Sequence, residues 1–284
     1  MKWFRTNGST LLVLFLLISN IFIFYILFAS QRSGLTVSFL NIGQGDAIFI
    51  QTPSGKDILI DGGKNKEVLK ELGGVMSFFD RHIDMVIATH PDLDHIGGFP
   101  GVFDRYRVDT LVEPGVFCDK SICTALEERA VQEKSKRIQA LRGTVFDFGD
   151  GVFLTILFPD RDVMDLETNT ASVVARLIYG TNSLLLTGDS PISIENFLVW
   201  KDGTNLNSDI LKAGHHGSRT SSSEEFVRMV SPAISVISAG KGNSYGHPHK
   251  EVVDILTKAQ SKILGTYEEG RINLVSDGKN WSVK

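Results

Sequence analysis

Thr89-His-Pro-Asp-Leu-Asp-His-Ile-Gly-Gly98 is the stretch on which the reading of this chain turns. His90, Asp92, Asp94 and His95 place two imidazoles and two carboxylates side by side, directly after the short apolar run Met85–Ala88. That run has the length of a buried strand, and the loop after a strand lets neighbouring side chains point into one space. Imidazole with carboxylate suits zinc, manganese or iron. A solvated polar loop could carry the same residues. Gly97-Gly98 argues against it, because two glycines let the backbone turn sharply and start a helix against the cluster.

Working outward, the other histidines are grouped as well. Of seven in the chain, His215 and His216 lie in Gly-His-His-Gly-Ser, and His247 and His249 in Tyr-Gly-His-Pro-His. Apolar, β-branched runs predict strands at Leu35–Leu40, Ala47–Gln51, Ile58–Ile60 and Thr110–Val112. Helices are predicted at Lys66–Phe79, from Gly97 through Phe103, and over Leu126–Leu141. The second half repeats the style. Strands are expected at Val145–Phe148, Phe153–Phe158, Ser172–Tyr179, Ser183–Thr187, Ser208–Ala213 and Ile234–Ser238, with Ile263–Gly265, Ile272–Val275 and Trp281–Val283 closing the chain. Helices are expected at Ile192–Trp200, Ser223–Val230 and His249–Ala259. Two β-then-α halves imply an α/β fold of two sheets packed face to face with helices outside, an αββα sandwich forming one domain over residues 35–284.

Net charge is −4, so no global basic field attracts nucleic acid, although a nuclease with a local basic groove stays open. The N-terminus is more specific. Residues 1–10 carry Lys2 and Arg5, and Leu11–Phe28 then runs without a charge. As a helix this run rises about 27 Å, close to the roughly 30 Å hydrocarbon core of a bilayer. The small-residue cleavage pattern of a signal peptide is missing. The expectation is a single-pass transmembrane anchor over residues 11–29, with residues 1–10 cytoplasmic and the remainder of the chain extracytoplasmic. Cys118 and Cys123 are either two unrelated small residues or a disulfide, which that location permits.

Six segments then resemble the metallo-β-lactamase superfamily, and within it the ComEC-like competence hydrolase domain. They are Phe39-Leu-Asn-Ile-Gly-Gln-Gly-Asp-Ala47, Leu59-Ile-Asp-Gly-Gly63, Thr89–Gly98, Leu186-Thr-Gly-Asp189, Leu211-Lys-Ala-Gly-His-His-Gly-Ser218 and Asn243-Ser-Tyr-Gly-His-Pro-His249, in family order over roughly residues 35–275. The resemblance implies that His90 and Asp92 hold a first metal ion and Asp94 and His95 a second. It implies that Asp189 bridges the two, and that His215 or His216 completes the second; His215 is preferred as the nearer to its strand. Asp61 would orient the loop by hydrogen bonding, unless it is only a turn residue before Gly62-Gly63. Two departures from the pattern stand out. Asp92 replaces a histidine, and no histidine lies between His95 and His215 to serve as the third ligand of the first ion. Asn169 is nearest in pattern. The first position is thus oxygen-rich and one ligand poorer, which favours harder ions such as Mn²⁺ over zinc and implies a loose, exchangeable ion.

The chemistry implied is hydrolysis by water ionised at one or two divalent ions, Zn or Mn. Asp94, Asp189 and His247 would be catalytic, His247 as proton donor or leaving-group contact unless it merely caps the turn at Pro248. Ser218 and Arg219 would hold a phosphate at a helix N-terminus, and Lys212 and Lys241 would add positive potential. The leading expectation is a phosphodiesterase or nuclease acting on nucleic acid outside the membrane. Hydrolysis of small esters, lactones or thioesters is the alternative, and a catalytically weak surface binding module is a further one. ComEC proteins have many membrane spans, whereas this chain shows one hydrophobic stretch, so a role in DNA uptake implies a separate channel protein.

Overall fold

The computed structural model describes residues 8–29 and 34–284, the side chains of 23–29 excepted. Gly8–Ala29 is a helix, and from Leu35 onward the chain is an αββα sandwich. Among the described residues no helix is long and apolar enough to cross a membrane. The anchor expected over residues 11–29 and its basic flank, Lys2 and Arg5, fall partly outside the described residues.

Among the described residues, fifteen strands build the two sheets. The first half supplies β1 (Leu35–Phe39), β2 (Ile48–Gln51), β3 (Asp57–Ile60), β4 (His82–Ile87), β5 (Arg107–Glu113) and β6 (Lys136–Gln139). The second supplies β7 (Val145–Asp147), β8 (Val152–Phe158), β9 (Val174–Tyr179), β10 (Asn182–Leu186), β11 (Ile210–Lys212), β12 (Ile234–Ile237) and β13 (Lys262–Gly265), and the chain ends with β14 (Ile272–Ser276) and β15 (Trp281–Val283). One sheet has the order β15-β14-β1-β2-β3-β4-β5-β6 and the other β13-β12-β11-β10-β9-β8-β7. The last two strands therefore leave the second half: β14 pairs antiparallel with β1, Phe39 opposite Ile272, and β15 pairs with β14.

Alternation of side chains along each strand makes three apolar layers. Ile58, Ile60, Leu154, Ile156, Leu184 and Leu186 fill the space between the sheets. The opposite face, with Leu59, Val86 and Leu111, packs under the helices Glu67–Val75, Phe99–Arg105 and Ser121–Glu133. Leu185, Leu211 and Ile237 pack under Ile192–Asp202, Glu224–Val230 and Lys250–Lys258. A register shift between Ile156 and Phe158 turns Phe158 from the inner layer to the outer one.

The helix expected over Leu126–Leu141 is corrected. It spans Ser121–Glu133 and ends at Lys134, which adopts left-handed backbone (φ 58°), after which β6 pairs with β5. The expected helix Lys66–Phe79 closes early, at Val75, leaving Phe78 and Phe79 exposed. Cys118 and Cys123 are joined in a disulfide, Cα atoms 6.2 Å apart, just ahead of and within the first turn of the helix Ser121–Glu133.

Candidate metal centre

Strands β3, β4 and β5 run parallel in one sheet and β10, β11, β12 in the other. Their C-terminal ends open on the same rim, where loops carry the chemistry, as is usual for parallel strands. Asp61 follows β3, His90 to His95 follow β4, Asp189 follows β10, and His215 and His216 follow β11.

Asp189 is the hub. Its Oδ2 lies 3.3 Å from His95 Nε2, 3.4 Å from His216 Nε2, 3.7 Å from His215 Nε2 and 4.0 Å from His90 Nε2. The opposite ring nitrogens are fixed by the scaffold. His95 Nδ1 bonds Asp61 Oδ2 at 2.7 Å, His216 Nδ1 donates to the Ser238 carbonyl at 3.0 Å, and His90 Nδ1 bonds Thr89 Oγ1 at 3.1 Å. Asp61 also accepts from the Thr89 backbone N–H and hydroxyl. These partners take the Nδ1 side of each ring and turn Nε2 toward Asp189, so that a ring giving up its Nε2 proton offers a lone pair there, the arrangement that metal-binding imidazoles need. Among the described residues, Nε2 of His90, His95 and His216, Oδ1 of Asp189 and Oδ1 of Asn169 are buried with no hydrogen-bond partner. Orphaned buried polar atoms are costly, and the three Nε2 atoms share one neighbour, Asp189 Oδ2, where a single cation would satisfy them. The residues fit a divalent ion.

Protonation follows the same geometry. Burial opposes charge on His216, but Asp189 and Asp46 outweigh it and push the imidazole up to about 9. His95 is likewise raised, burial being outweighed by Asp189 and Asp61. Burial and the neighbouring His95 hold His90 down to about 3. Asp94, which burial would raise, is held at about 2 by the facing His216 and His95 imidazoles. The carboxylates thus draw protons onto His95 and His216, supplying the positive charge that an ion would replace with proton release.

Both members of the His pair have left-handed backbone, φ 46° at His215 and 55° at His216. The consequence corrects the preference for His215. His216 turns inward, fully buried, with Nε2 3.4 Å from Asp94 Oδ2, while His215 stays at the rim, held by Thr220. Asp92 sits 3.7 Å from His90 Nε2, and Asn169, whose Oδ1 is buried without a partner, lines the same cleft. His247 also lines the cleft, its buried Nδ1 unpartnered, and burial with the charge of His216 holds it down to about 4. A neutral imidazole at physiological pH can contact a leaving group, but it is not a ready proton donor.

Two expected anion contacts are corrected. Ser218 and Arg219 are not at a helix N-terminus: a 3₁₀ turn precedes them and the next helix starts at Glu224. The Ser218 hydroxyl accepts from Thr220, and Arg219 extends to solvent near Glu251. Lys212 is fully buried and donates to the Gly188 carbonyl and to Asp46, so its charge is spent inside the protein; Lys241 is exposed.

Asp46 was not assigned a role from sequence, although Gly-Gln-Gly-Asp was in view. It is buried, paired with Lys212, with Oδ1 3.5 Å from His216 Nδ1, so it backs the grouping of His95, Asp189 and His216 from the Nδ1 side. Burial would raise its carboxyl, but Lys212 and His216 keep it well below the usual range. Gly45 makes its position possible: at φ +126°, an added Cβ would sit 2.2 Å from the Asp94 carbonyl oxygen. A second grouping, His82, Asp84 and Asp109, is an ion-paired surface patch, with Lys56 on Asp84 and Arg107 on Asp109.

Comparison with known proteins agrees with this geometry. Residues 40–241 match the family model of the metallo-beta-lactamase superfamily. The chain is 33% identical over 258 residues to ComE operon protein 3 of Bacillus subtilis (strain 168), covering 83% of this chain and 32% of that protein. It is 30% identical over 248 residues to competence protein ComA of Neisseria gonorrhoeae, covering 86% and 33%. This chain thus spans about a third of the length of these curated relatives. Among solved structures, the metallo-beta-lactamase fold protein YhfI from Bacillus subtilis matches with a TM-score of 0.57 at 14% identity, covering 84% of this chain and 99% of that one, which speaks for the fold alone. Fold, ligand arrangement and relatives coincide: the chain belongs to the metallo-β-lactamase superfamily, as a metal-dependent hydrolase whose homologues include ComEC-like competence proteins.

Proposed function

We propose that this hydrolase is a phosphodiesterase acting on nucleic acid outside the membrane, held there by one N-terminal span. The observation that carries the reading is the approach of the buried His90, His95 and His216 Nε2 atoms to Asp189 Oδ2, with His215 at the rim, in a cleft of about 180 Å³. A divalent ion held by these residues would supply Lewis acidity and ease the ionisation of water near neutral pH. Zn and Mn both suit the donors, and Mn is favoured where Asp92 and Asn169 replace imidazole.

The protein's own contribution is preorganisation. Asp61 and Ser238 lock His95 and His216 from behind, so neither ring reorganises during turnover. Asp94 is held ionised at the mouth of the cleft. His247 presents a neutral ring at the rim, placed to contact a leaving oxygen. Relatives whose names carry competence and recombination favour DNA over a small ester as substrate. Uptake of that DNA would need a separate channel protein.

The test uses the full-length chain in detergent with Mn²⁺ or Zn²⁺, against single-stranded DNA, bis-p-nitrophenyl phosphate and a lactone panel. DNA and diester cleavage lost in His95→Ala is the expected result. Lactone turnover without diester cleavage would replace the reading with ester hydrolysis, and no turnover would leave a binding module. Protease added to intact cells should remove the folded domain; full protection would reverse the proposed orientation.

A further inference from the structure

Lys120, on the far side of Asp92 from His90, carries a charge that the reading above leaves unused. It sits inside the ring closed by the Cys118–Cys123 disulfide, at the residue preceding the helix Ser121–Glu133. Its carbonyl accepts from the Cys123 and Thr124 backbone N–H groups. The disulfide and the helix start therefore both fix its backbone. From there its ammonium reaches back 2.6 Å to Asp92 Oδ1, which also accepts from the Thr168 hydroxyl at 3.1 Å. The other oxygen of Asp92 faces His90 Nε2. One carboxylate is thus shared between a fixed protein cation and the first metal position.

We propose that Lys120 is an internal competitor for the first metal position, held on Asp92 by the disulfide ring, and that it makes this ion the weaker and more exchangeable of the two. Two effects oppose each other. The Lys120 hydrogen bond orients Asp92, which would help an ion bind. Its positive charge repels a divalent ion at the same carboxylate, and Coulomb repulsion scales with the doubled charge and falls only as the inverse of distance. Thr168 holds the same Asp92 oxygen, so orientation survives the loss of Lys120, and repulsion decides the sign. The Lys120 side chain is about half exposed, so removing it leaves no buried charge and folding is unaffected. The inference rests on reading His90 and Asp92 as a metal position, and Asp92→Asn tests that part by itself.

The measurement is Mn²⁺ binding to the chelator-treated full-length chain by isothermal titration calorimetry, which needs no substrate. Wild type should show a tighter and a weaker ion, and Asp92→Asn should lose the weaker one. Lys120→Gln, which keeps a donor and loses the charge, should tighten the weaker ion by about three- to tenfold at low salt and leave the other unmoved. The gain should shrink at high salt as screening sets in. Lys120→Arg should bind as wild type. Dithiothreitol, or Cys118→Ser with Cys123→Ser, should mimic Lys120→Gln in wild type and add nothing to it. Weaker binding in Lys120→Gln, or no change, overturns the proposal. Retention of two ions by Asp92→Asn overturns the metal position it rests on. A gain in Lys120→Gln that reduction fails to reproduce overturns the role of the disulfide.

Discussion

Asp46 and Lys212 form a buried ion pair beneath the metal centre, and each is tied to it by a second contact. Asp46 faces His216, and Lys212 Nζ lies 3.7 Å from Asp189. Breaking such a pair leaves an uncompensated charge in a low-dielectric interior, which costs about 3–5 kcal/mol. Asp46→Ala should lower unfolding free energy by about that amount in chelator, read by urea denaturation, and Asp46→Leu with Lys212→Met should recover most of it. Protonation gives a second prediction at this scale. His216 and His95 are raised in the folded state, so the stability they contribute is full below about 6.5, the unfolded value, and is lost as pH climbs through the folded one, about 9 for His216. The chelated protein should therefore melt at lower temperature at pH 9 than at pH 6.5. Added Mn²⁺ should abolish that fall, because an ion takes the place of the protons; an unchanged slope with metal would contradict the shared role of these rings.

At the scale of elements, the site depends on loops that pass within contact distance of one another. Gly45 crosses directly over the Asp94 carbonyl, whereas Gly43, also at positive φ, would meet nothing within 4 Å. Gly45→Ala should cost about 1–3 kcal/mol in strain and loosen metal binding by displacing Asp94. Gly43→Ala should cost less and leave the metal untouched. Differential scanning fluorimetry with and without Mn²⁺ separates the two effects. The element that sequence misread is instructive. In β6 only Ile138 is even partly buried, at the sheet edge, so Lys136–Gln139 has no apolar alternation to mark it off from the helix before it. Its conformation comes from pairing with β5, a non-local cause.

For the molecule as a whole, the metal should act as a clasp between the two sheets. His90, Asp94 and His95 come from one and Asp189 and His216 from the other. An ion bound at a hundred times its dissociation constant would add about 2.7 kcal/mol to global stability. Chelation should lower the melting temperature of the domain in a single cooperative transition, and a transition confined to one half of the chain would contradict the clasp. The C-terminal strands β14 and β15 support the same unity, since they carry the chain from the second half back to the first sheet.

Sequence alone determined the chemistry and the layer architecture, because both are written in local patterns. The ligand types of His90-Pro-Asp-Leu-Asp-His95 stand next to one another, and apolar alternation marks most of the strands. Tertiary structure alone decided which of His215 and His216 turns inward, that Asp46 and Lys212 pair beneath the centre, that Ser218 bonds Thr220 while Arg219 extends to solvent, and that Lys120 lies on Asp92. Each of these depends on a backbone angle or on a contact between residues far apart in the chain. Neither a composition nor a period carries that information.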